Sequence, residues 1–152
     1  MKLEPIQDLV ASDLAEVDRI IRANMTSPVA LVGLVAEHIV AGGGKRLRPL
    51  TVLLAARAAS GGDPPPGARH CEAAAIIEFI HTATLLHDDV VDESSMRRGR
   101  PTANALFGNA ASVLVGDFLY SRAFQMMVSV NRMRVLEVLA DATNVIAEGE
   151  VL

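Results

Sequence analysis

Apolar positions recur along this chain with the period of a helix. Ile6, Val10, Leu14, Val17 and Ile21 fall on one face and predict a helix over Leu3–Asn24. Ser27-Pro28 reads as the next helix start, a capping hydroxyl followed by proline in the first turn. That helix should run to about Val40, where Gly42-Gly43-Gly44 ends it. Another is expected from Arg48-Pro49 through Ala59, closed by the loop Gly61-Gly62-Asp63-Pro64-Pro65-Pro66-Gly67. From Ala68 to about Val91 runs a long helix that ends in a cluster of charge. A basic loop, Ser94–Pro101, comes next. Helical stretches over Ala103–Val130, with a break near Gly108-Asn109, and over Arg132–Glu148 complete the chain. No stretch alternates convincingly, so no strand is expected. The predicted class is all-α, a helical bundle forming one unit over residues 1–152.

Composition agrees. Hydrophobic residues make up 51% and aromatic residues only 3% of the 152, a mix dominated by helix-forming alanine and leucine. A formal net charge of −4 does not suggest a general polyanion binder, no nucleic-acid partner is expected, and any anion site must be a local basic cluster. The acidic, amphipathic N-terminus lacks the regions of a signal peptide. No apolar run is long enough for a transmembrane segment, and a cytoplasmic protein is expected. The single cysteine, Cys71, excludes an intrachain disulfide and reads as a small buried residue.

Candidate chemistry concentrates at the end of the long helix, in Asp88-Asp89-Val90-Val91-Asp92. Asp88 and Asp92 stand one turn apart on one face, where they repel each other and meet the unfavourable end of the helix dipole. A divalent cation removes both penalties, and carboxylate oxygens suit Mg²⁺. A solvated acidic helix end is the bland alternative for this motif taken alone. His81 and Glu78 lie about two turns and more behind Asp88, as the wall of a polar cavity would require.

Two basic segments flank this helix. Gly42-Gly43-Gly44-Lys45-Arg46-Leu47-Arg48-Pro49 joins a glycine turn to three cations at a helix start, where free amides and the dipole attract phosphate. Met96-Arg97-Arg98-Gly99-Arg100-Pro101-Thr102 begins just past Asp92 and can reach whatever the metal holds. Either segment alone could be a solvated loop, and the arginines could simply compensate the aspartates. Together they describe a site for Mg²⁺ and two diphosphates.

The segments GGGKRLRPL and FIHTATLLHDDVVDESSMRRGRPTANALFGNAASVLVGDFLY resemble the trans-polyprenyl diphosphate synthases. The likeness is greatest to the octaprenyl diphosphate synthase type, which makes quinone side chains, and it extends along essentially the whole chain. It implies the isoprenoid synthase fold, an all-helical bundle around a deep cavity, usually as a homodimer. It also implies that isopentenyl diphosphate is condensed with an allylic diphosphate such as farnesyl diphosphate, the product being delivered to a membrane. By that likeness Lys45, Arg48, His81 and Arg98 hold isopentenyl diphosphate. Asp88 and Asp92 bind Mg²⁺ with Asp89 supporting, and Arg97 contacts the allylic diphosphate. Ala83 and Thr84, small where the family uses bulk to stop the growing chain, imply a long product.

Other residues read as structural. His87 should point away from the site, Asp117 should make a buried hydrogen bond, Ser94-Ser95 should belong to a turn, and Met126, Met127 and Met133 should fill the core. The family's second aspartate-rich motif is not found, and Glu150-Val151-Leu152 reads as mid-helix. The expectation is therefore the N-terminal portion of such a synthase, binding isopentenyl diphosphate weakly and turning over little alone. A non-catalytic subunit of a heteromeric prenyl synthase is the alternative. A carboxylate-bridged metalloprotein would need paired Glu-x-x-His motifs, and Glu78-Phe79-Ile80-His81 is the single one.

Overall fold

A computed structural model describes residues 2–152. Among them the helices are α1 (Glu4–Asp8), α2 (Ala11–Asn24), α3 (Ala30–Ala41), α4 (Leu47–Ala59), α5 (Arg69–Val91), α6 (Ala103–Phe107), α7 (Asn109–Val130) and α8 (Met133–Val151). The bundle is all-α, as the periodicity predicts. Helix α5 is its axis. It contains neither glycine nor proline over 23 residues, and it packs against α2, α4, α6 and most extensively α7.

Phe79 and Ile76 supply its bulk in the core, while Ala74, Ala75 and Ala83, all fully buried, let neighbouring helices come close. The register of α7 on α5 is fixed by two small residues. Ser112, fully buried, donates its hydroxyl to the Leu86 carbonyl at 2.8 Å. Gly116 lies against the His87 ring, where any Cβ would overlap the imidazole. Each large apolar side chain removed from water in this core contributes about 1.5–3 kcal/mol.

Several boundaries differ from the periodic reading. The first predicted helix is two, because Val10 turns inward to be buried with a non-helical backbone (φ −127°, ψ 25°). The Leu9 carbonyl left free at this break accepts from Arg57 at the end of α4. Helix α3 starts at Ala30 rather than at Pro28, although the Ser27 hydroxyl does accept the Val29 amide at 3.1 Å. The break at Gly108 stands where it was expected, with φ 89°.

The loop Ser94–Pro101 contains a strand pair that the sequence does not announce. Strands β1 (Met96–Arg97) and β2 (Arg100–Pro101) pair antiparallel, Met96 with Pro101 and Arg97 with Arg100. Arg98 and Gly99 between them have φ of 51° and 74°, the double positive φ of a type I′ hairpin turn. Arginine is an unusual first residue for that turn, which hides it from a pattern search. Met126 and Met127 fill the core, whereas Met133 is exposed at the start of α8 and fills nothing. No helix among the described residues is long and apolar enough to cross a membrane.

Candidate functional site

Although α5 is buried on several sides, one long stripe of it stays open. That stripe carries Ile77, His81, Thr84, Asp88 and Asp92 at helical spacing. Two cavities open along it. The first, of about 620 Å³, lies between the glycine turn and α5, with Lys45, Arg46, Arg48, Glu78, His81 and Arg98 in its wall. The second, of about 490 Å³, is an apolar groove between α5 and α8. Ile77, Ile80, Thr84 and Leu139 form its walls, and Arg48, His81 and Asp88 line it too. Arg48 and His81 belong to both, so a basic chamber and an apolar groove share one boundary.

The chamber is shaped by local backbone geometry. Gly43 sits at φ 61°, a conformation glycine adopts freely. Its carbonyl accepts from Arg98 Nη1 at 2.9 Å, which brings the hairpin onto the turn. A Cβ at Gly44 would stand 2.9 Å from the same nitrogen, so a larger residue there would displace the end of the Arg98 side chain. Lys45 and Arg48 are exposed into the chamber and make no ion pair among the described residues. Burial, and then the Arg48 charge, push the His81 imidazole below its ordinary pKa of 6.5, with Glu78 opposing. His81 is thereby held neutral, with one ring N–H available to donate.

At the other end of the stripe the three aspartates divide. Asp89 is buried and turned inward. Its carboxylate is held by the Arg97 fork, with Nη2 at 2.6 Å and Nε at 3.1 and 3.2 Å from the two oxygens. Asp88 is half-buried, and Asp92, the residue that caps α5, is exposed; both lie on the open stripe. Burial, then the charges of Glu150 and Asp92, raise the Asp88 carboxyl above its ordinary pKa, against the pull of Arg97. Such crowding of hard oxygen donors is the penalty that a divalent cation would relieve.

The remaining predicted residues are placed as follows. Thr84 lines the groove, and its hydroxyl is spent on the His81 carbonyl at 2.7 Å, so it adds no free polar group there. Ala83 is fully buried in the core and lines neither the chamber nor the groove. His87 points away, its Nε2 on the Val113 carbonyl at 3.1 Å. Asp117 stands 3.3 Å from His87 with its side chain largely exposed, so it makes no buried hydrogen bond. Ser94 is part of the turn: its amide reaches the Asp89 carbonyl, and its own carbonyl takes Thr102 Oγ1 and Asn104 Nδ2, both at 2.9 Å. Cys71 is buried beside Asp13 and His70, and its thiol is pushed up to about 12, chiefly by burial.

A cationic chamber, an adjoining hydrocarbon groove and a carboxylate pair together suit a ligand with a diphosphate head and an apolar tail. Comparison with known proteins agrees. Residues 29–152 match the sequence model of the polyprenyl synthetase family. The chain belongs to the polyprenyl synthetase family. It is 60% identical over all 152 residues to octaprenyl diphosphate synthase of Escherichia coli (strain K12), covering 46% of that protein. It is 52% identical over 144 residues to the all-trans-nonaprenyl-diphosphate synthase (geranyl-diphosphate specific) of Rhodobacter capsulatus, covering 94% of this chain and 43% of that one. Among solved structures, polyprenyl synthase from Caulobacter crescentus CB15, complexed with calcium and isoprenyl diphosphate, superposes with a TM-score of 0.93 at 51% identity. The match covers 99% of this chain and 44% of that one. The chain thus spans about half the length of the relatives it matches.

Three contributors to the site escape sequence reasoning. Arg46 is read there as one more cation, yet it pairs with Asp18 and Glu78, which are distant in sequence. Asn104 ties the end of α5 to the segment after it, again through a distant backbone group. Thr102 was discoverable, since a threonine before a helical run is an N-cap signal, and its hydroxyl accepts the Ala105 amide at 3.3 Å.

Proposed function

We propose that this chain carries the isopentenyl-diphosphate site and the first metal-binding motif of an enzyme that elongates prenyl chains. The observation that carries the proposal is the shared boundary of chamber and groove at Arg48 and His81, with Asp88 further along the same groove. Lys45, Arg48, His81 and Arg98 hold the diphosphate of isopentenyl diphosphate. Neutral His81 donates a hydrogen bond, while the three cations supply charge. Asp88 and Asp92 hold Mg²⁺. When bound, it supplies charge neutralisation for the diphosphate of an allylic partner such as farnesyl diphosphate.

Arg97, oriented by buried Asp89, stabilises the pyrophosphate that departs with the electrons of the allylic C–O bond. The double bond of isopentenyl diphosphate attacks the allylic carbon. A proton is then lost from the new adduct, and a chain longer by one isoprene unit results. No protein nucleophile takes part. The groove past Thr84 receives the growing chain, and its small side chain lets the product become long, as a quinone side chain requires. Residues beyond those on this chain would complete the allylic side, whether from further sequence or from a partner subunit, including a homodimer mate.

Calorimetric titration with isopentenyl diphosphate, and elongation assays with Mg²⁺, farnesyl diphosphate and labelled isopentenyl diphosphate, test this. Saturable binding that Arg48→Ala weakens by about tenfold, and any incorporation that Asp88→Asn removes, are expected. Absence of saturable isopentenyl diphosphate binding to the folded chain overturns the proposal. Binding without incorporation supports the half-site reading, in which another polypeptide completes catalysis.

A further inference from the structure

We propose that Arg46 is a positioning residue for the anion chamber, which Lys45 and Arg48 occupy only because Arg46 is held in the body of the protein. The assignment rests on the diphosphate-binding function proposed above. Lys45, Arg46 and Arg48 lie close together in sequence, and by charge alone each could face an anion. The structure separates them. Arg46 alone folds back, its Nη1 on Glu78 Oε1 of α5 at 3.0 Å and its Nε 3.3 Å from Asp18 Oδ1 of α2.

Its backbone is the second half of the observation. Arg46 is the N-cap of α4 and lies at φ 50°, ψ 38°, the left-handed region that a residue with a Cβ enters only under constraint. The two carboxylates provide that constraint. From this pivot the Arg46 carbonyl accepts the Leu50 amide at 2.9 Å and so starts α4, with Arg48 in its first turn. Lys45 is the residue immediately before the pivot. Rotation of Arg46 to an ordinary backbone conformation would swing Lys45 away from Arg48 and unwind the start of α4. Two neighbouring cations thus stay unpaired because the third is paired.

The competing role for Arg46 is direct contact with the anion, since it lines the same chamber. The two roles predict opposite signs. Asp18→Asn with Glu78→Gln removes two negative charges beside a cationic site without removing any cation. If Arg46 were a ligand, or the carboxylates merely neutralised it, pyrophosphate would bind more tightly. If Arg46 positions its neighbours, the freed side chain no longer holds the pivot and binding weakens by about tenfold. A second pair of variants guards against misfolding. Asparagine tolerates the left-handed region and alanine does not, so Arg46→Asn should retain several-fold more pyrophosphate affinity than Arg46→Ala. A direct ligand would lose equally in both.

The experiment is titration of the chain and these variants with inorganic pyrophosphate and with isopentenyl diphosphate, with thermal unfolding measured alongside. Weaker binding in the double amide variant, together with Asn above Ala at position 46, is the expected result. Unchanged or tighter binding in the double amide variant, or equal losses in Arg46→Asn and Arg46→Ala, overturns the assignment. Failure of the unaltered chain to bind either anion would instead overturn the function on which it rests.

Discussion

The two basic segments look alike in sequence, three cations around glycine, and the fold uses them differently. In the glycine turn one arginine is tied down and two cations are left open to the chamber. In the hairpin the arginines also hold the protein together: Arg97 forks onto buried Asp89, and Arg98, while it lines the chamber, donates to the Gly43 carbonyl. Even Arg100 has Nη1 buried, without a hydrogen-bond partner. Under the function proposed above, the turn is the main anion receptor. The hairpin is built as a latch that joins the acidic end of α5 to that receptor. Composition cannot separate these roles, because the difference lies in which distant carboxylate or carbonyl meets each guanidinium.

The strongest way to break this comparison is Arg97→Met. Asp89 would keep its burial and lose its one charged partner among the described residues. Breaking a buried pair from one side typically costs about 3–5 kcal/mol. The Arg97 side chain is 40% exposed, so screening and water reduce that to roughly 2 kcal/mol. Urea unfolding should show the loss, and a midpoint unchanged from the unaltered chain would mean that the latch carries no load.

Arg48→Ala sharpens the contrast from the receptor side. With no ion pair to break and an exposed side chain, stability should change by less than about 0.5 kcal/mol. Pyrophosphate affinity should fall by about tenfold, the worth of a lost charge-assisted hydrogen bond. A variant as destabilised as Arg97→Met, with its pyrophosphate affinity intact, would reverse the two roles.

Much of the architecture was legible because periodicity reports burial. The long α5 helix, the break at Gly108 and the all-α class follow from where apolar residues fall. The same periodicity put His81, Thr84, Asp88 and Asp92 on one stripe, and the structure leaves that stripe open. Periodicity fails where a single side chain outweighs the pattern. Val10 continues the apolar face of a straight helix, yet the chain breaks there to bury it. Ala83 neighbours Thr84 in sequence but lies round the helix in the core, so smallness at that position serves helix packing. Asp117, expected to make a buried hydrogen bond, has its side chain exposed on α7. The Arg46 and Arg97 partnerships were illegible because each depends on tertiary contact. Sequence reports how many charges a segment has, and only the fold reports which of them are already satisfied.

His81 gives the subtlest test, because it lies within the influence of both segments. After burial, Arg48 is the largest influence holding its pKa down, ahead of Arg97 and Arg98. The unpaired Arg48 should act on His81 more strongly than Arg97, whose charge is already met by Asp89. An NMR titration of the His81 ring should therefore show its pKa rising more in Arg48→Ala than in Arg97→Met. The sign carries over to stability. The folded-state pKa lies below the ordinary 6.5, so as pH falls the unfolded chain takes up the proton first. The contribution of neutral His81 is thus complete above the ordinary value and is lost as pH drops from there toward the folded one. Unfolding midpoints between about pH 7.5 and pH 5.5 should fall less steeply in His81→Gln than in the unaltered chain. Equal slopes would mean that His81 is not held neutral, and a larger pKa rise in Arg97→Met would make the hairpin, not the turn, the source of the field at the site.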